Sequence, residues 1–392
     1  DTNKAGANGG GVSITGGTVN FTTNIFRGNE AVENGGAVDI SGNANVTFTG
    51  VTFGENNNVN TAENGGAVSI RGGTANFTGS VFKCNHADNG GAVYILDGRN
   101  ATFNGSGSVM FEQNYADNGG AIYLADDANA QLNIAGTSYL TFKDNYSSLN
   151  GGAIYATQAS SMNFSQTVNF EGNHTENGNG GALYVYSPSQ IPESTITFKN
   201  NHAKRTSSTS TTEGNGGAIY IYGRENETLT LDSSKPYTFD NNTADYSGGA
   251  IYTVSSDVTI SGVEFVIKNT AANGEGGFIK TDGRVNIDDA TISNQQGASG
   301  GAIYGGIVNI TNSTFNANKS TNLGGAIYAV KSFSATDASK FTNNGSDNTT
   351  YGGAVYSLGP VTIDKNCEFT GNSTSAKSQN QGGGAIFISS DQ

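Results

Sequence analysis

The sequence predicts an all-β protein: a right-handed parallel β-helix, or β-solenoid, of about 13–14 coils with three short strands in each coil. Three observations predict it. A glycine-rich hexapeptide recurs along the chain, a phenylalanine motif precedes nearly every copy, and short apolar–polar alternating runs lie between them. Because the repeats run from end to end, residues 1–392 are interpreted as a single β-helix domain, a piece of a longer protein.

The hexapeptide begins with Gly-Gly-Ala and continues with Ile, Val or Leu, and with two variant copies included, successive copies are 24 to 36 residues apart. They begin at Gly35, Gly65, Gly90, Gly119, Gly151, Gly180, Gly216, Gly248, Gly300, Gly324, Gly352 and Gly383. Variants at Gly9 and Gly276 belong to the same series. This regular recurrence indicates one motif in each coil.

The second motif is Phe-x-x-Asn, which precedes each later copy of the first. It comprises Phe26/Asn29, Phe53/Asn56, Phe82/Asn85, Phe111/Asn114, Phe142/Asn145, Phe170/Asn173, Phe198/Asn201, Phe239/Asn242, Phe315/Asn318, Phe341/Asn344 and Phe369/Asn372. Val266/Asn269 and Ile292/Gln295 fill the two gaps in degraded form. The runs between the motifs alternate with period two and are split by Gly, Asn, Asp and Ser, which is typical of strands and turns.

Both motifs are interpreted as structural. A turn that repeats at strand spacing favours glycine, which adopts a positive φ without a Cβ clash, and the preceding Asn also tolerates that conformation. The apolar residues after the glycines and the Phe side chains are expected to fill the interior, while the Asn amides stack as a ladder. Representative structural positions are Gly90, Gly91, Ala92, Phe82, Asn85, Phe111, Asn114, Phe142 and Asn145.

One position of the glycine motif alternates away from the interior and should face outward. Tyrosine occupies it nine times, at Tyr94, Tyr123, Tyr155, Tyr184, Tyr220, Tyr252, Tyr304, Tyr328 and Tyr356. A stacking ladder would explain such a column, since cross-strand aromatic pairs stabilise neighbouring strands. An outward strip of tyrosines is also rigid, amphipathic area of the kind enriched in binding surfaces, so these residues are candidate binding residues.

The composition argues against several functions. The net charge is −14, from 19 basic and 33 acidic residues, and no basic stripe is present, so nucleic acid is not expected as a partner. Anionic membrane surfaces are disfavoured, and no apolar run is long enough for a spanning helix, so we expect no direct membrane insertion of this chain. Glycine at 57 residues beside only 4 prolines argues against collagen.

The sequence offers little for metal binding. Cys84 and Cys367 are interpreted as free thiols, buried as small apolar residues, with pairing to other chains as the alternative. Histidines at 86, 174 and 202 each follow a motif Asn and make a poor metal site.

Four acidic residues that precede Asn-Gly-Gly form a column, in which solvated charges are favoured over bound calcium: Glu33, Glu63, Asp88 and Asp117. No metal and no cofactor are predicted.

A loop between two repeats is a further candidate site. Between Asn201 and Gly216 the repeat lengthens by Lys204, Arg205 and a Ser/Thr run, which should bulge as a flexible loop and is a candidate for binding or protease nicking.

Polysaccharide-active β-helices need clustered Asp, Lys or Arg on one strand face, and no such cluster is visible. The chain is therefore not predicted to be an enzyme.

The pairing of repeated Gly-Gly-Ala-(Ile/Leu/Val) with Phe-x-x-Asn resembles the polymorphic membrane proteins of chlamydiae, over nearly the whole chain and with similarity to the D type. The resemblance implies an autotransporter passenger displayed at the cell surface or outer membrane, or released. It implies adhesion to host epithelial cells, with a host cell-surface receptor as partner and growth-factor receptors of the epidermal type as a family-level candidate.

The functional prediction is therefore a surface adhesin that binds through a rigid, repetitive β-helix, with avidity from repetition. Two alternatives stay open: an enzyme on acidic polysaccharide, and a spacer stalk that carries a separate binding head. Open coil ends expose strand edges, so self-association is also expected to be possible.

Overall fold

The computed structural model describes residues 2–96, 99–105, 107–125, 130–136, 139–234, 236–265, 268–345, 348–375 and 382–389. The chain divides into two compact units, Asp1–Asn201 and His202–Gln392. Each unit is a parallel β-solenoid, and together they contain about 13 turns, which confirms the predicted fold class. The single-domain interpretation and the right-handed winding stay predictions.

A typical coil contains four short strands, so the predicted count of three is wrong. Sheet 1 follows the Gly-Gly-Ala motif, sheet 2 comes next, sheet 3 carries the motif Phe, and sheet 4 begins directly after the motif Asn. The residue before that Asn has a positive φ, as at Cys84 (55°), Gln113 (56°) and Asp144 (53°). This left-handed residue makes a corner that separates sheet 3 from sheet 4.

In the first unit the strands of each sheet pair in parallel, one coil on the next. Sheet 1 contains Val12–Ile14, Val38–Ile40, Val68–Ile70, Val93–Ile95, Ile122–Leu124, Ile154–Ala156 and Leu183–Val185. Sheet 2 contains Thr18–Thr22, Asn45–Thr49, Thr74–Thr78, Asn100–Gly105, Gln131–Gly136 and Ser161–Phe164. Sheet 3 contains Ile25–Phe26, Thr52–Phe53, Val81–Lys83, Val109–Glu112, Leu140–Lys143, Val168–Glu171 and Ile196–Lys199. Sheet 4 contains Lys4–Ala5, Glu30–Ala31, Thr61–Asn64, His86–Asn89, Tyr115–Asn118, Tyr146–Asn150 and His174–Thr175.

The second unit repeats this plan. Its sheet 1 strands are Ile219–Ile221, Ile251–Thr253, Ile279–Thr281, Val355–Ser357 and Ile386–Ile388, and its sheet 2 strands are Thr228–Asp232, Asp257–Ser261, Arg284–Asp288 and Val361–Ile363. Two longer strands, Ile303–Thr311 and Ile327–Thr336, serve both sheets. Sheet 3 strands are Tyr237–Asp240, Glu264–Phe265, Thr291–Ser293, Thr314–Asn316, Lys340–Thr342 and Glu368–Thr370, and sheet 4 strands are His202–Ala203, Thr243–Ala244, Thr270–Ala271, Gln296–Ser299 and Lys319–Leu323.

The two glycines of the hexapeptide have different tasks. The first has a positive φ, as at Gly90 (61°), which any residue with a Cβ adopts only with strain. The second has an ordinary φ but lies against the next coil: a Cβ on Gly91 would come within 2.3 Å of the Gly120 carbonyl oxygen. Ala92 after them is fully buried. Glycine is therefore needed once for the turn and once for close coil packing.

The Asn before the glycine pair does not adopt the left-handed conformation for which it was expected to be suited. Asn34, Asn64 and Asn89 are absent from the described residues with a positive φ. Their amides instead link coils, and Asn89 Nδ2 donates to Asn64 Oδ1 at 3.1 Å. Side-chain hydrogen bonds between coils, and not a left-handed backbone, therefore account for Asn at this position.

The motif phenylalanines fill the interior as predicted. Phe82, Phe111, Phe142 and Phe170 are fully buried and lie in register in sheet 3, with ring centroids 4.6 Å apart for the first pair and 4.8 Å for the last. A second row of rings on sheet 2 packs edge-on against them, as Phe77 does against Phe82. Each ring buried from water stabilises the fold by roughly 1.5–3 kcal/mol.

The predicted asparagine ladder is present in the first unit. Asn85 Nδ2 donates to Asn114 Oδ1 at 2.9 Å, and Asn114 Nδ2 donates to Asn145 Oδ1 at 2.9 Å. Asn114 Nδ2 also donates to the Phe82 carbonyl, while its Oδ1 accepts from the Asn85 backbone N–H at 3.0 Å. Each amide thus satisfies its donors and acceptor inside the core, where an unpaired group would be costly.

One assignment of the Phe-x-x-Asn series is wrong in register, and another falls outside the described residues. The ladder position paired with Phe53 is filled by Asn60 and not by Asn56, because residues 55–58 close a small turn of their own before the chain returns to the ladder. Val266 lies outside the described residues, and Phe265 instead pairs with Ile292 in sheet 3. In the coil of Asn60 an insertion moved the motif, and the residue that reaches the buried ladder completes the column.

We expect Asn114→Ala to lower the free energy of unfolding by at least about 2 kcal/mol, because it leaves the Phe82 carbonyl and the Asn85 N–H buried without this partner. The urea-unfolding midpoint checks this. Asn163→Ala is the matched control, since Asn163 is exposed and donates only to Asn133; it should change stability by less than about 0.5 kcal/mol. Equal losses in the two variants would contradict a structural ladder.

Candidate functional site

The tyrosine column of the hexapeptide stands in register in the first unit. Tyr94, Tyr123, Tyr155 and Tyr184 are partners in successive sheet 1 strands. Their rings stack with centroids 5.6, 5.1 and 4.8 Å apart in that order. The prediction that these residues align one strand apart is therefore confirmed.

The second unit carries the same column with one cation inserted. Tyr220 stacks on Tyr252 at 5.1 Å, and Tyr304, Tyr328 and Tyr356 stack at 4.6 and 4.9 Å. The remaining place belongs to Lys280, whose Nζ lies 4.8 Å from the Tyr252 ring centroid and 5.8 Å from that of Tyr304. Its ammonium also pairs with Asp282 at 2.8 Å. The cation–π geometry keeps the column continuous where a tyrosine is missing.

The column is less exposed than the sequence suggested. Tyr184 and Tyr220 are each only 8% exposed, and the other tyrosines of the column are half-buried or buried. Within each unit the rings stack on rings of adjacent coils, so ring faces are covered and mainly edges remain accessible. Tyr186, from the chain segment beyond sheet 1, adds an edge-on contact to Tyr155 and Tyr184. The assignment of these tyrosines as binding residues stays a prediction.

Charged residues in the same column are paired. Asp39 is 1% exposed, and Arg71 donates to both of its carboxylate oxygens at 2.9 Å. The hydrogen bond that Arg71 donates to Asp39 raises the pKa of Arg71, against an opposing effect of burial. A buried carboxylate needs such a partner. In the second unit Lys280 is held by Asp282, so neither charged member of the column has the open, clustered setting of a catalytic site.

Burial shifts the titration of the column. It raises the pKa of Tyr155 far above the ordinary value, helped by a hydrogen bond between the Tyr155 and Tyr186 hydroxyls at 3.3 Å. Burial also raises the pKa of Tyr252 and of Tyr304. Burial alone would lower the pKa of Lys280, but the nearby Tyr252 and Asp282 raise it, so the ammonium is favoured.

The loop that carries the candidate residues Lys204 and Arg205 is anchored at its start. The Arg205 guanidinium lies 4.9 Å from the Tyr246 ring centroid, and its backbone N–H donates to Asp245 at 3.1 Å. Asp245 also pairs with His202 at 2.7 Å. Residues 206–209 are exposed. The contacts place Arg205 against Asp245 and Tyr246 and give no contact with the tyrosine column, and its binding role stays a prediction.

Both cysteines are free, as predicted, but their expected burial is wrong. Cys84 and Cys367 are half-exposed. Cys84 occupies the left-handed corner before the ladder Asn85, and its thiol contacts Gln113 Oε1 at 3.7 Å. Burial of the thiol raises its pKa. Cys84 therefore lies at a corner of the coil and not among the small apolar residues of the core.

Sequence reasoning missed a second aromatic column, on sheet 4 of the first unit. His86, Tyr115, Tyr146 and His174 are register partners in successive coils. Their ring centroids are 4.7, 4.6 and 5.4 Å apart. The sequence position could have revealed this column, since each of its residues directly follows a ladder Asn. The histidines were noticed there, but the two tyrosines between them were not.

Sheet 3 of the first unit carries a further column that was missed, an alternation of positive and negative charge. Its outward register partners are Lys83, Glu112, Lys143, Glu171 and Lys199. Lys83 Nζ lies 3.0 Å from Glu112 Oε2. Opposite charges in register favour strand pairing, so this column supports the stack.

The acidic column contrasts with it. Glu33, Glu63, Asp88 and Asp117 are all exposed, in keeping with solvated charges. Among the residues that the structure describes, no group of three or more His, Cys, Asp or Glu side chains is arranged to hold a metal ion.

The fold and its columns define a class: a repeat-built parallel β-solenoid that displays stacked side chains in rows. Six segments match the family model for the Chlamydia polymorphic membrane protein repeat: residues 108–125, 139–157, 167–186, 195–222, 236–254 and 312–330. Each segment runs from a Phe-x-x-Asn motif through the following Gly-Gly-Ala motif. The chain carries the repeat of the chlamydial polymorphic membrane protein family, which confirms the family predicted from the sequence. The D type stays a prediction.

The other comparisons add nothing to this assignment. Neither the search of curated proteins nor the search of solved structures found a match. Family and fold together fit the passenger of a surface autotransporter. Within the described ranges, none of the helices has the length and apolar character needed to cross a membrane.

We expect Tyr155→Phe to flatten the alkaline loss of stability. The raised pKa of Tyr155 means that the folded protein keeps a proton which the unfolded chain releases above about pH 10, so stability falls as the pH rises past that value. Unfolding midpoints from neutral to alkaline pH measure the effect. The variant should lose less stability than the wild type at high pH and differ little at neutral pH; parallel declines would contradict the assignment.

Proposed function

We propose that the chain is a surface adhesin: an autotransporter passenger that attaches its bacterium to host epithelial cells. The observation that carries the proposal is the register of the surface columns, in which the tyrosine edges repeat at each coil. Many weak, equivalent contacts on a rigid body raise avidity without a specialised pocket. The family and the fold support an exposed passenger, and a host cell-surface receptor is the proposed partner.

The finer parts of this proposal rest on the family resemblance. A growth-factor receptor of the epidermal type is the candidate partner, and the D type is the candidate subtype. Self-association through exposed strand edges would add to avidity. The spacer alternative predicts that the columns only stiffen a stalk, whereas adhesion through the columns predicts that changing their accessible edges weakens binding.

The test uses beads coated with purified protein and counts beads bound to epithelial cells. Tyr94→Ser combined with Tyr123→Ser should reduce binding several-fold, because both side chains are half-exposed members of the tyrosine column. Tyr139→Ser with Tyr222→Ser is the matched control, since these tyrosines are exposed outside the column. Circular dichroism verifies that the coil is retained.

Three outcomes are informative. Wild-type beads that do not bind would exclude adhesion by this chain. Binding that survives the column substitutions with unchanged circular dichroism would favour the spacer alternative. Equal losses in the column variant and its control would show a general dependence on surface tyrosine and would contradict a defined contact column.

A further inference from the structure

A groove runs along sheet 4 of the first unit, on a different sheet from the tyrosine column. It is a cavity of about 520 Å³, and its floor is formed by the stacked rings of His86, Tyr115, Tyr146 and His174. We call it the His/Tyr groove. Val59, an exposed apolar side chain, contributes to its wall. A continuous aromatic surface open to solvent is typical of a docking site.

Carboxylates lie beside this groove in register with its rings. On strand His86–Asn89 the exposed residues are His86 and Asp88, with buried Ala87 between them. Tyr115 and Asp117 have the same relation on the next strand, and Glu63 lies on the strand before. Residues two apart on a strand are separated by about 7 Å, and adjacent strands by about 4.8 Å. The surface is therefore a grid of one aromatic column and one acidic column.

A second depression of about 360 Å³ extends this surface on the acidic side and shares His86 with the groove. It is lined by Glu30, Glu63 and Asp88 together with exposed Val32. Within the described residues, no lysine or arginine lies at ion-pair distance from Glu63 or Asp88. On the first strand of sheet 4, Lys4 pairs with Glu30 at 2.6 Å. The chain's own lysine thus shows how an ammonium is accepted there.

We propose that the His/Tyr groove and its acidic column bind an extended peptide segment that carries lysine or arginine. Glu63, Asp88 and Asp117 are like charges on adjacent strands, an arrangement that costs stability unless it is solvated or neutralised. Basic side chains fit both columns, because their aliphatic stems pack on apolar surface while their charged heads reach nearby carboxylates. Arginine and lysine are also attracted to aromatic rings.

Other occupants fit less well. A second copy of this chain would bring a net charge of −14 to an acidic surface. A divalent cation would need several converging ligands, and the described part of the chain places no three such groups together. The proposal does not depend on the adhesive function, because it concerns a different sheet and can be tested with purified protein alone.

The test measures fluorescence anisotropy of a labelled octapeptide that alternates lysine and alanine, titrated with the purified chain at low ionic strength. An octapeptide that alternates glutamine and alanine should not bind. The triple variant Glu63→Gln, Asp88→Asn, Asp117→Asn should weaken binding of the lysine peptide by about tenfold, since each exposed ion pair contributes roughly a twofold change in affinity. All three side chains are exposed, so the fold should be retained.

The matched control removes the same charge elsewhere, with Glu225→Gln, Glu264→Gln and Asp288→Asn, which are exposed residues of the second unit. It should change the affinity less than twofold. A second pair of variants tests the rings: Tyr115→Leu with Tyr146→Leu should weaken binding several-fold at raised salt, where charge attraction is screened, whereas Tyr139→Leu with Tyr222→Leu should not.

Several results would overturn the proposal. Equal losses in the two charge variants would mean that only net charge attracts the peptide. Wild-type protein that does not bind the lysine peptide, or that binds calcium at this column and excludes the peptide, would replace a peptide site with none or with a cation site. Binding that is unchanged by Tyr115→Leu with Tyr146→Leu would show that the His/Tyr groove is not part of the peptide site.

Discussion

The close approach of successive coils at the second glycine of the hexapeptide is the constraint on which the rest of the structure depends. A Cβ at Gly91 would enter the carbonyls of the neighbouring coil, so only glycine allows the coils to meet there at hydrogen-bonding distance. Once the coils are held at this spacing, every other residue of the repeat lies against its own equivalent. The buried asparagine ladder fixes the corner between sheet 3 and sheet 4, because each amide is satisfied by amides and backbone groups of the adjacent coils.

Because the coils are stacked in register, equivalent side chains of successive coils contact one another and interact. Rings become ladders inside and outside, and alternating Lys and Glu support the stack on sheet 3. Like charges do the reverse, so the acidic column of sheet 4 keeps an electrostatic cost that a basic partner would relieve. The solenoid can therefore carry several surfaces at once: sheet 1 presents tyrosine edges, while sheet 4 presents rings and carboxylates.

Extra residues are accommodated at the corners between sheets and not within the strands. The turn at residues 55–58 lets the chain leave the column and return to it at Asn60. Beyond Tyr186, a short 3₁₀ turn over Pro188–Gln190 is fixed by Gln190, whose buried amide donates to the carbonyls of Thr157 and Ser160. This excursion from the coil is therefore ordered.

The sequence alone determined the period, the class of fold and the vertical alignment of Tyr94, Tyr123 and Tyr155, because a motif that recurs once in each coil must place equal residues in equal positions. Tertiary structure decided what local spacing cannot encode. It selected Asn60 over Asn56, since only the residue that reaches the buried ladder completes its hydrogen bonds. It also set the burial of the tyrosines and the pairing of Asp39 with Arg71, because side chains from other coils and corners, distant in sequence, cover them.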